Sequence, residues 1–165
     1  MIAIEKEAFN PELAEMVFPL AQKCWNESTA FKGETCAYYG ERDFQVEPDT
    51  AAYQALADQG KLVIVTLRDD GELKGYVIGF LYTSLHHKKI PCGFGDSIYI
   101  EPEYREHTWA VAKRFEKEME SLGAQIIGWP VHQNGPVYDI LKAKGYTADD
   151  VVMEKRLFRS TETCA

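Results

Sequence analysis

Apolar side chains recur at helical spacing near the start of the chain, which predicts a first α-helix there. Asn10 followed by Pro11 marks its beginning, because asparagine caps the amides of a first turn and proline fits the first helical position. Pro19 removes a backbone donor and should kink or split this helix. A second helix is predicted over Pro48–Gln59, ending at Gly60. The apolar face of the first helix consists of Leu13, Val17, Leu20 and Cys24.

The connection between these two helices, Asn26 to Val46, is long and its apolar residues have no clear period. A connection of this length inside a compact domain is often a binding loop or a lid. Packing of its aromatic side chains on the core is the alternative interpretation.

The pattern then changes to that of β-strands. Leu62–Leu67 is rich in β-branched residues, Arg68–Glu72 is typical of a tight turn, and Leu73–Tyr82 completes a hairpin. A third strand is predicted over Asp96–Glu101, where Pro102 stops it.

Strands and helices alternate in the remainder of the chain. Thr108 begins a helix that Gly123 closes, and its apolar residues lie three and four positions apart. A short strand Gln125–Trp129, a helix Val137–Lys144 and a last strand Val151–Leu157 follow. A crossover helix requires a parallel step between the strands on either side of it. The order therefore predicts an α/β protein with a mixed sheet flanked by helices.

Length and charge narrow the class of protein. The 165 residues contain no internal repeat or linker, which predicts a single domain over 1–165, with its core at about 2–157 and a tail at 158–165. The chain has 18 basic and 26 acidic residues, a net charge of −8. This charge argues against a nucleic-acid partner, because basic side chains supply the affinity for phosphates. It is compatible with a cationic substrate such as an amine, although solubility alone would also explain it.

Hydropathy and cysteine usage indicate the compartment. No apolar run approaches the roughly 20 residues that cross a bilayer, so no membrane association is expected. None of the four cysteines, which are Cys24, Cys36, Cys92 and Cys164, belongs to a Cys-x-x-Cys pair. We therefore expect reduced thiols in a cytoplasmic protein and no metal site.

The most informative stretch is 97–110, where a strand leads through a short turn into a helix. Amides at such a helix N-terminus, aided by the helix dipole, bind phosphate. Here the chain resembles the GNAT superfamily of acetyl-CoA-dependent N-acetyltransferases. That family's signature, Gln/Arg-x-x-Gly-x-Gly/Ala, stands as Arg105-x-x-Thr108-x-Ala110. A second similarity is the segment 134–146, in which asparagine opens the last helix and glycine plus an aromatic residue close it.

The resemblance implies the GNAT fold, with a mixed, mostly antiparallel central sheet, a splayed strand pair and about four flanking helices. The splay would fall at Trp129-Pro130, since proline cannot continue a ladder. It also implies acetyl-CoA as cofactor, with Asn134 on the far side of the pantetheine arm. Backbone groups on the near side would come from Ile98, Tyr99 and Ile100. The pyrophosphate would lie against the amides of Arg105, Glu106, His107, Thr108, Trp109 and Ala110.

The sequence departs from the family's pattern at three positions. Thr108 replaces a glycine that lets phosphate approach the backbone. It either caps the helix and donates its hydroxyl to phosphate, or it obstructs the cofactor. Glu106 adds a negative charge where glycine is common, and Leu141 stands where many members carry the tyrosine that protonates the leaving thiolate. Tyr138, about one helical turn earlier, either replaces that tyrosine or is a packing residue.

Two further positions are candidates for proton transfer. Asp96 stands where many members place an acidic residue facing the acceptor, so it is the first candidate general base. An aspartate that ends the loop 93–95 and bonds a nearby amide is the alternative. His86 or His87 ends the preceding strand, and one of two consecutive strand residues points inward. Such a histidine could relay a proton, or both are exposed loop residues beside Lys88.

The leading hypothesis is an N-acetyltransferase that moves acetyl from acetyl-CoA to a primary amine by direct attack in a ternary complex. The acceptor would be a small-molecule or protein amine, and pairing of two chains into a homodimer stays open. The alternative, favoured by the three departures, is a GNAT-fold protein without catalysis that serves as a CoA-binding or interaction module. The residues around 86–88 and 102–105 look most like GNAT-type proteins of tailed phages and prophages, where such a module would be structural.

Overall fold

The computed structural model of the chain describes residues 1–32, 45–86, 88–131 and 135–148. The predicted last strand Val151–Leu157 and the C-terminal tail lie outside these residues, as does most of the predicted loop before Val46. The candidate residues His87 and Asn134 also lie outside them.

Five strands form one mixed sheet in which spatial order follows chain order. The first four strands are antiparallel to their neighbours, whereas the last pair is parallel, as a helical crossover requires. The strands are β1 (Ile2–Glu7), β2 (Leu62–Asp69), β3 (Glu72–Thr83), β4 (Pro91–Ile100) and β5 (Ile126–Gly128).

Four α-helices and one 3-10 helix flank this sheet within the described ranges, which confirms the predicted α/β class. They are α1 (Pro11–Lys32), α2 (Thr50–Asp58), the 3-10 helix (Pro102–His107), α3 (Thr108–Ser121) and α4 (Pro136–Ala143).

The first helix begins where the sequence predicts it and extends further than expected. The side-chain oxygen of Asn10 accepts a hydrogen bond from the Leu13 amide at 2.8 Å, which confirms the predicted cap. However, α1 runs unbroken through Pro19 to Lys32. The predicted split at Pro19 and the predicted loop start at Asn26 are therefore wrong. Burial of the apolar helix face outweighs one missing backbone hydrogen bond.

The second helix starts two residues later than its predicted beginning at Pro48. Its cap is Asp49, whose Oδ1 accepts a hydrogen bond from the Ala52 amide at 2.9 Å. Pro48 therefore precedes the helix instead of occupying its first turn.

The β2–β3 hairpin is confirmed, with a tighter turn than expected. Asp70 and Gly71 have φ angles of 46° and 84°, and two successive positive values are typical of the two-residue turn that matches strand twist. The next strand, β4, begins at Pro91 and not at Asp96. Its first half is poor in strand-forming residues, and pairing with β3 overrides that local preference.

The edge strand β1 has no counterpart among the strands predicted from the sequence. It is only six residues long and half of it is charged, so its periodicity carries little signal. Tertiary contacts fix it instead: Arg68 Nε and Nη2 donate to the two carboxylate oxygens of Glu7 at 2.7 and 3.1 Å. The buried Thr66 hydroxyl also donates to Glu7.

Alternate residues of the central strands face two separate apolar layers. One layer packs Val111, Phe115 and Met119 of α3 on the sheet residues Val63, Val65, Leu67, Val77 and Ile100. The other packs Leu13 and Leu20 of α1 on Ile64, Tyr76, Ile78 and Tyr99. The central sheet is thus covered on both faces, and its strand β4 lies between the helices that line the site described below.

The Glu7–Arg68 pair predicts an acid-sensitive edge of the sheet. Hydrogen bonds from Arg68 hold the pKa of Glu7 below its ordinary value. Because the folded pKa is depressed, the stabilisation is complete above the unfolded pKa of about 4.3 and is lost as pH falls through the folded pKa. Glu7→Gln should therefore lower the free energy of unfolding at neutral pH and make it less dependent on pH between about pH 5 and pH 3.

Urea denaturation across that pH range checks this prediction. Glu12→Gln, an exposed carboxylate in the first turn of α1, is the matched control. If both variants keep the wild-type pH dependence, the Glu7–Arg68 pair does not contribute as described.

Candidate functional site

The strands β4 and β5 separate after a short parallel pairing. They pair only over Cys92–Phe94 and Ile126–Gly128. Beyond that point β4 continues to Ile100, hydrogen-bonded to β3, while β5 ends immediately before Trp129-Pro130. This divergence, here named the fork, confirms the predicted splayed strand pair.

A cavity of about 570 Å³ opens at the fork and extends under α1 and α2. That volume is typical of a site for a small molecule or cofactor. Its floor is β4 from Gly95 to Ile100. The fork half is lined by Arg105, Thr108, Trp129, Val137 and Tyr138, and the other half by Phe9, Val17, Phe18, Trp25 and Tyr53.

On the edge of β4 that faces the fork, two backbone carbonyl oxygens are contacted by side chains. The Glu101 amide donates to Lys74 O of β3 at 2.9 Å. Since the backbone groups of a strand alternate in direction, those of Ile98 and Ile100 point the other way, towards the fork. The Cys24 thiol lies 3.5 Å from Ile98 O, and Arg105 Nε lies 3.4 Å from Ile100 O. The Arg105 contact is long for an N–H···O hydrogen bond, and a thiol is a weak donor.

A β-bulge in β4 places Asp96 in the cavity. The β3–β4 register passes from Ile78↔Ser97 to Gly79↔Gly95, which leaves Asp96 as the extra residue. Such an extra residue re-aims its side chain, and bulges are frequent beside active sites. As a result Asp96 and Ser97, although consecutive, both bond to residues on the α1/α2 side of the sheet.

Tyr53 of α2 holds the Asp96 carboxylate in position. Its hydroxyl donates to Asp96 Oδ2 at 2.8 Å. Burial, together with the neighbouring charge of Asp96, raises the pKa of Tyr53 far above its ordinary value, so the tyrosine stays a donor at neutral pH. The ring of Tyr53 also packs against Phe9, with 6.0 Å between ring centroids. Asp96 therefore has a side-chain partner from α2, whereas the alternative interpretation predicted a bond to a nearby backbone amide.

Two buried tyrosines support the floor beneath these groups. Tyr76, 1% exposed, bonds Ser97 Oγ at 2.8 Å, and burial strongly raises its pKa. Tyr99, 6% exposed, donates to Glu27 Oε1 at 3.1 Å, and burial followed by the Glu27 bond raises its pKa in the same way. Both side chains hold their protons at neutral pH and act as fixed dipoles.

Arg105, the first residue of the recognised motif, pairs with an acidic side chain of α1. Its Nη2 donates to Glu27 Oε2, and both side chains are a little under half exposed. The same α1 surface carries Lys23, which pairs with Glu101 at the end of β4. These two ion pairs hold the C-terminal half of α1 against the end of β4.

The segment before α3 is helical, and the short turn predicted there is wrong. The 3-10 helix runs from Pro102 to His107, and the residues at its junction with α3 have right-handed helical backbone angles. Consequently the Thr108 amide donates to Arg105 O. The Thr108 hydroxyl donates to the same oxygen at 2.7 Å, and Thr108 is 6% exposed. The N-cap residue of α3 is His107, which makes no side-chain cap bond, so the predicted cap by Thr108 is wrong: its hydroxyl bonds back into the 3-10 helix instead.

The other residues of the motif lie around the start of α3. The His107 imidazole is 3.5 Å from the Glu106 carboxylate, so these two side chains are neighbours. Trp109 lies beside α4, with Lys144 Nζ 5.3 Å from its ring centroid, and Ala110 is exposed. The cavity wall is therefore formed by Arg105 and Thr108 of the motif.

Tyr138 lines the fork half of the cavity from α4. Lys142 Nζ lies 5.7 Å from its ring centroid. Leu141, at the position where the family carries a tyrosine, is 4% exposed and belongs to the core. Tyr138 and Asp96 thus line one cavity from opposite sides of the fork.

His86 lies away from this cavity. It is exposed in the β3–β4 connection and lines a separate small hollow with Lys88, Lys89 and Ile90. The placement matches the exposed-loop alternative, and the structure does not bring His86 together with Asp96.

Tyr53, Glu27 and Cys24 are residues of the site that sequence reasoning missed. All three come from α1 or α2, far along the chain from the motif, and their helical spacing is that of ordinary packing residues. Only the fold brings them to β4. The sequence placed Cys24 on the apolar face of the first helix. That position is the one sequence signal that the Cys24 side chain points towards the sheet.

Gly95 and Trp129 fit together at the branch point of the fork. A β-carbon on Gly95 would lie 2.3 Å from a ring carbon of Trp129, which leaves room for hydrogen alone. The indole also packs on Phe115 of α3, with 5.2 Å between ring centroids. Its Nε1 donates to Tyr146 OH at 3.3 Å. The indole thus fills the α3 side of the divergence and leaves the α1 side open.

Across residues 1–32, 45–86, 88–131 and 135–148, no group of three or more His, Cys, Asp or Glu side chains could hold a metal ion. The same ranges contain no helix that is both long enough and apolar enough to span a bilayer.

Several solved structures similar to this one bear the name of an acetyltransferase. An aminoglycoside acetyltransferase from an uncultured soil metagenomic sample, in complex with trehalose, superposes with a TM-score of 0.69 at 12% identity over 96% of each chain. A putative acetyl transferase from Pyrococcus furiosus gives 0.71 at 18% identity over 95% of this chain and 100% of that one. AAC(6')-Iy, in complex with the bisubstrate analog CoA-S-monomethyl-acetylneamine, gives 0.63 at 15% identity over 96% and 99%.

No family model matches the chain, and no curated protein matches it significantly. At these identities the structural similarity defines the fold and not the activity. The chain therefore has the GNAT fold, as the motif at Arg105–Ala110 predicted.

The packing of Trp129 on Gly95 predicts that this glycine cannot be enlarged. Gly95→Ala should lower the free energy of unfolding by about 1–3 kcal/mol, because the new methyl group overlaps the indole. Gly128→Ala is the matched control, since a β-carbon there meets nothing within 4 Å. Urea denaturation measures both, and equal stability of the two variants would contradict the described packing.

Proposed function

We propose that the protein is an N-acetyltransferase that transfers acetyl from acetyl-CoA to a primary amine. The observation that carries the proposal is the fork: one cavity joins the open edge of β4 at Ile98 and Ile100 to the Asp96 carboxylate. A pantetheine arm needs hydrogen-bonding groups along an extended edge, and an amine acceptor needs a proton acceptor next to it. The GNAT fold supports acyl transfer in general.

The residues along β4 fit the pantetheine part of such a cofactor. Acetyl-CoA supplies an activated acetyl thioester. Ile98 and Ile100 would bind its pantetheine amides in place of the long contacts from Cys24 and Arg105. Arg105, the basic side chain among the described lining residues, would turn towards the pyrophosphate. Asn134 would contact the other side of the arm, as the sequence motif implies.

The pyrophosphate end needs a rearrangement. The amide and the hydroxyl of Thr108 both donate to the backbone carbonyl of Arg105, and the side chain of Arg105 is paired with Glu27. Anion binding by amides near the start of α3 therefore requires the 3-10 turn to open, with Glu106, His107, Trp109 and Ala110 as the remaining candidates from the motif. The competing proposal, a GNAT-fold module without catalysis, draws its support from this same closed turn.

The chemistry assigns a proton role to each side of the fork. The acceptor ammonium must lose a proton before nitrogen attacks the acetyl carbon, and Asp96, fixed by Tyr53, would accept it directly or through water. The amide of Ile98 or Ile100 would stabilise the oxyanion, since the Tyr99 amide between them points towards β3. As the carbon–sulfur bond breaks, Tyr138 would donate the proton that the leaving thiolate needs. No covalent enzyme intermediate is required.

Direct binding of acetyl-CoA tests the proposal. Calorimetry should show one-to-one binding, and saturation at 100 times Kd should stabilise the fold by about 2.7 kcal/mol. Adenosine 3′,5′-bisphosphate, which lacks the pantetheine arm, should bind at least tenfold more weakly. Glu27→Gln should bind acetyl-CoA more tightly than the wild type, because it frees Arg105. Absence of binding at millimolar acetyl-CoA would favour the interaction module.

Asp96 is testable once an amine is turned over. Asp96→Asn should lower kcat by about 10²- to 10⁴-fold, the usual contribution of a general base, with the Kd of acetyl-CoA unchanged. Thiol release measures the rate, and Asp58→Asn, at the exposed end of α2, is the matched control. An unchanged kcat in Asp96→Asn would remove Asp96 from the mechanism.

Three finer assignments stay proposals of the same kind: a cytoplasmic location, a phage or prophage origin, and a homodimer.

A further inference from the structure

The half of the cavity away from the fork has an apolar wall. Phe9, Val17 and Phe18 line it from the start of the chain and from α1, and all three are half-buried. Tyr53 closes it from α2, with its ring packed on Phe9. An acceptor that enters this half therefore meets aromatic rings and aliphatic carbon before it meets β4.

Among the described residues of this half, few polar side chains line the cavity. Tyr53 OH is bonded to Asp96, and Tyr76 OH is bonded to Ser97 Oγ. These two tyrosine hydroxyls already have partners, whereas the Asp96 carboxylate can accept further hydrogen bonds. A ligand with many hydroxyl groups would therefore lose more contacts with water than it regains from these side chains, which lowers its affinity.

The charges of the cavity favour one cationic group over several. The acidic lining residues among those described are Glu27, Glu47 and Asp96. Glu27 is paired with Arg105, whereas Glu47 and Asp96 are both exposed. Asp96 differs from Glu47 in its position on β4, where the Tyr53 hydroxyl of the aromatic pair Phe9–Tyr53 donates to its carboxylate. An ammonium group at Asp96 would lie beside the Tyr53 hydroxyl that holds this carboxylate.

From this arrangement we propose that the acceptor is a monocationic primary amine with an aromatic or branched apolar body, such as an arylalkylamine. Its ammonium group binds at Asp96, and its apolar body packs on Phe9, Val17 and Phe18. Polyamines and aminoglycosides are disfavoured, although proteins of this fold that act on aminoglycosides are known. The inference rests on the proposed function, because it describes the acceptor half of the same cavity.

Binding of amines to the protein, with and without CoA, tests the inference independently of turnover. The probes are 2-phenylethylamine, spermidine and kanamycin, measured by calorimetry. We expect 2-phenylethylamine to bind at least tenfold more tightly than either polycation. Equal or tighter binding of spermidine or kanamycin would overturn the inference, as would failure of all three to bind. If CoA does not bind while 2-phenylethylamine does, the proposed function falls and the amine site remains.

A variant pair locates the apolar body in the cavity. Phe9→Ala should weaken binding of 2-phenylethylamine at least fivefold and leave that of ethylamine, which is too short to reach the ring, nearly unchanged. Phe80→Ala is the matched control, because Phe80 packs with Tyr82 and Phe94 further along the sheet. Equal effects of Phe9→Ala on both amines, or an equal loss in Phe80→Ala, would contradict the placement.

Discussion

The interruption of the β4–β5 pairing is the constraint on which the site depends. A parallel pair that continued to Ile100 would saturate the backbone groups of Ile98 and Ile100 and close the cavity. The interruption is built from local chemistry: Pro130 cannot extend a strand, and Gly95 lets the Trp129 indole occupy the α3 side of the gap. The fork is therefore packed on one face and open on the other.

A second irregularity, the bulge in β4, places the Asp96 carboxylate in that opening. Without an extra residue, strict alternation would send Asp96 and Ser97 to opposite faces. With it, both bond to groups on the α1/α2 side, and Tyr53 fixes the carboxylate. The cavity and the position of its carboxylate thus derive from two small departures from a regular sheet.

Local signals were sufficient for most of the fold. The Asn10 cap, the Asp70-Gly71 turn and the strand–helix–strand crossover around α3 act within a few residues, so the sequence predicts them. The edge strand β1 escaped prediction because its partners lie more than fifty residues away. The site residues Tyr53 and Glu27 escaped for the same reason. The motif located the right region, yet its turn adopts a 3-10 helix that the family pattern does not indicate.

Binding of the pantetheine arm along the open edge of β4 is tested most directly by amide chemical shifts. In a ¹H–¹⁵N titration with CoA, we expect the largest changes at the amides of Ile98 and Ile100. The amide of Val77, in the buried strand β3, should stay unchanged. Saturable CoA binding that leaves Ile98 and Ile100 unperturbed, or no binding at all, would contradict the account.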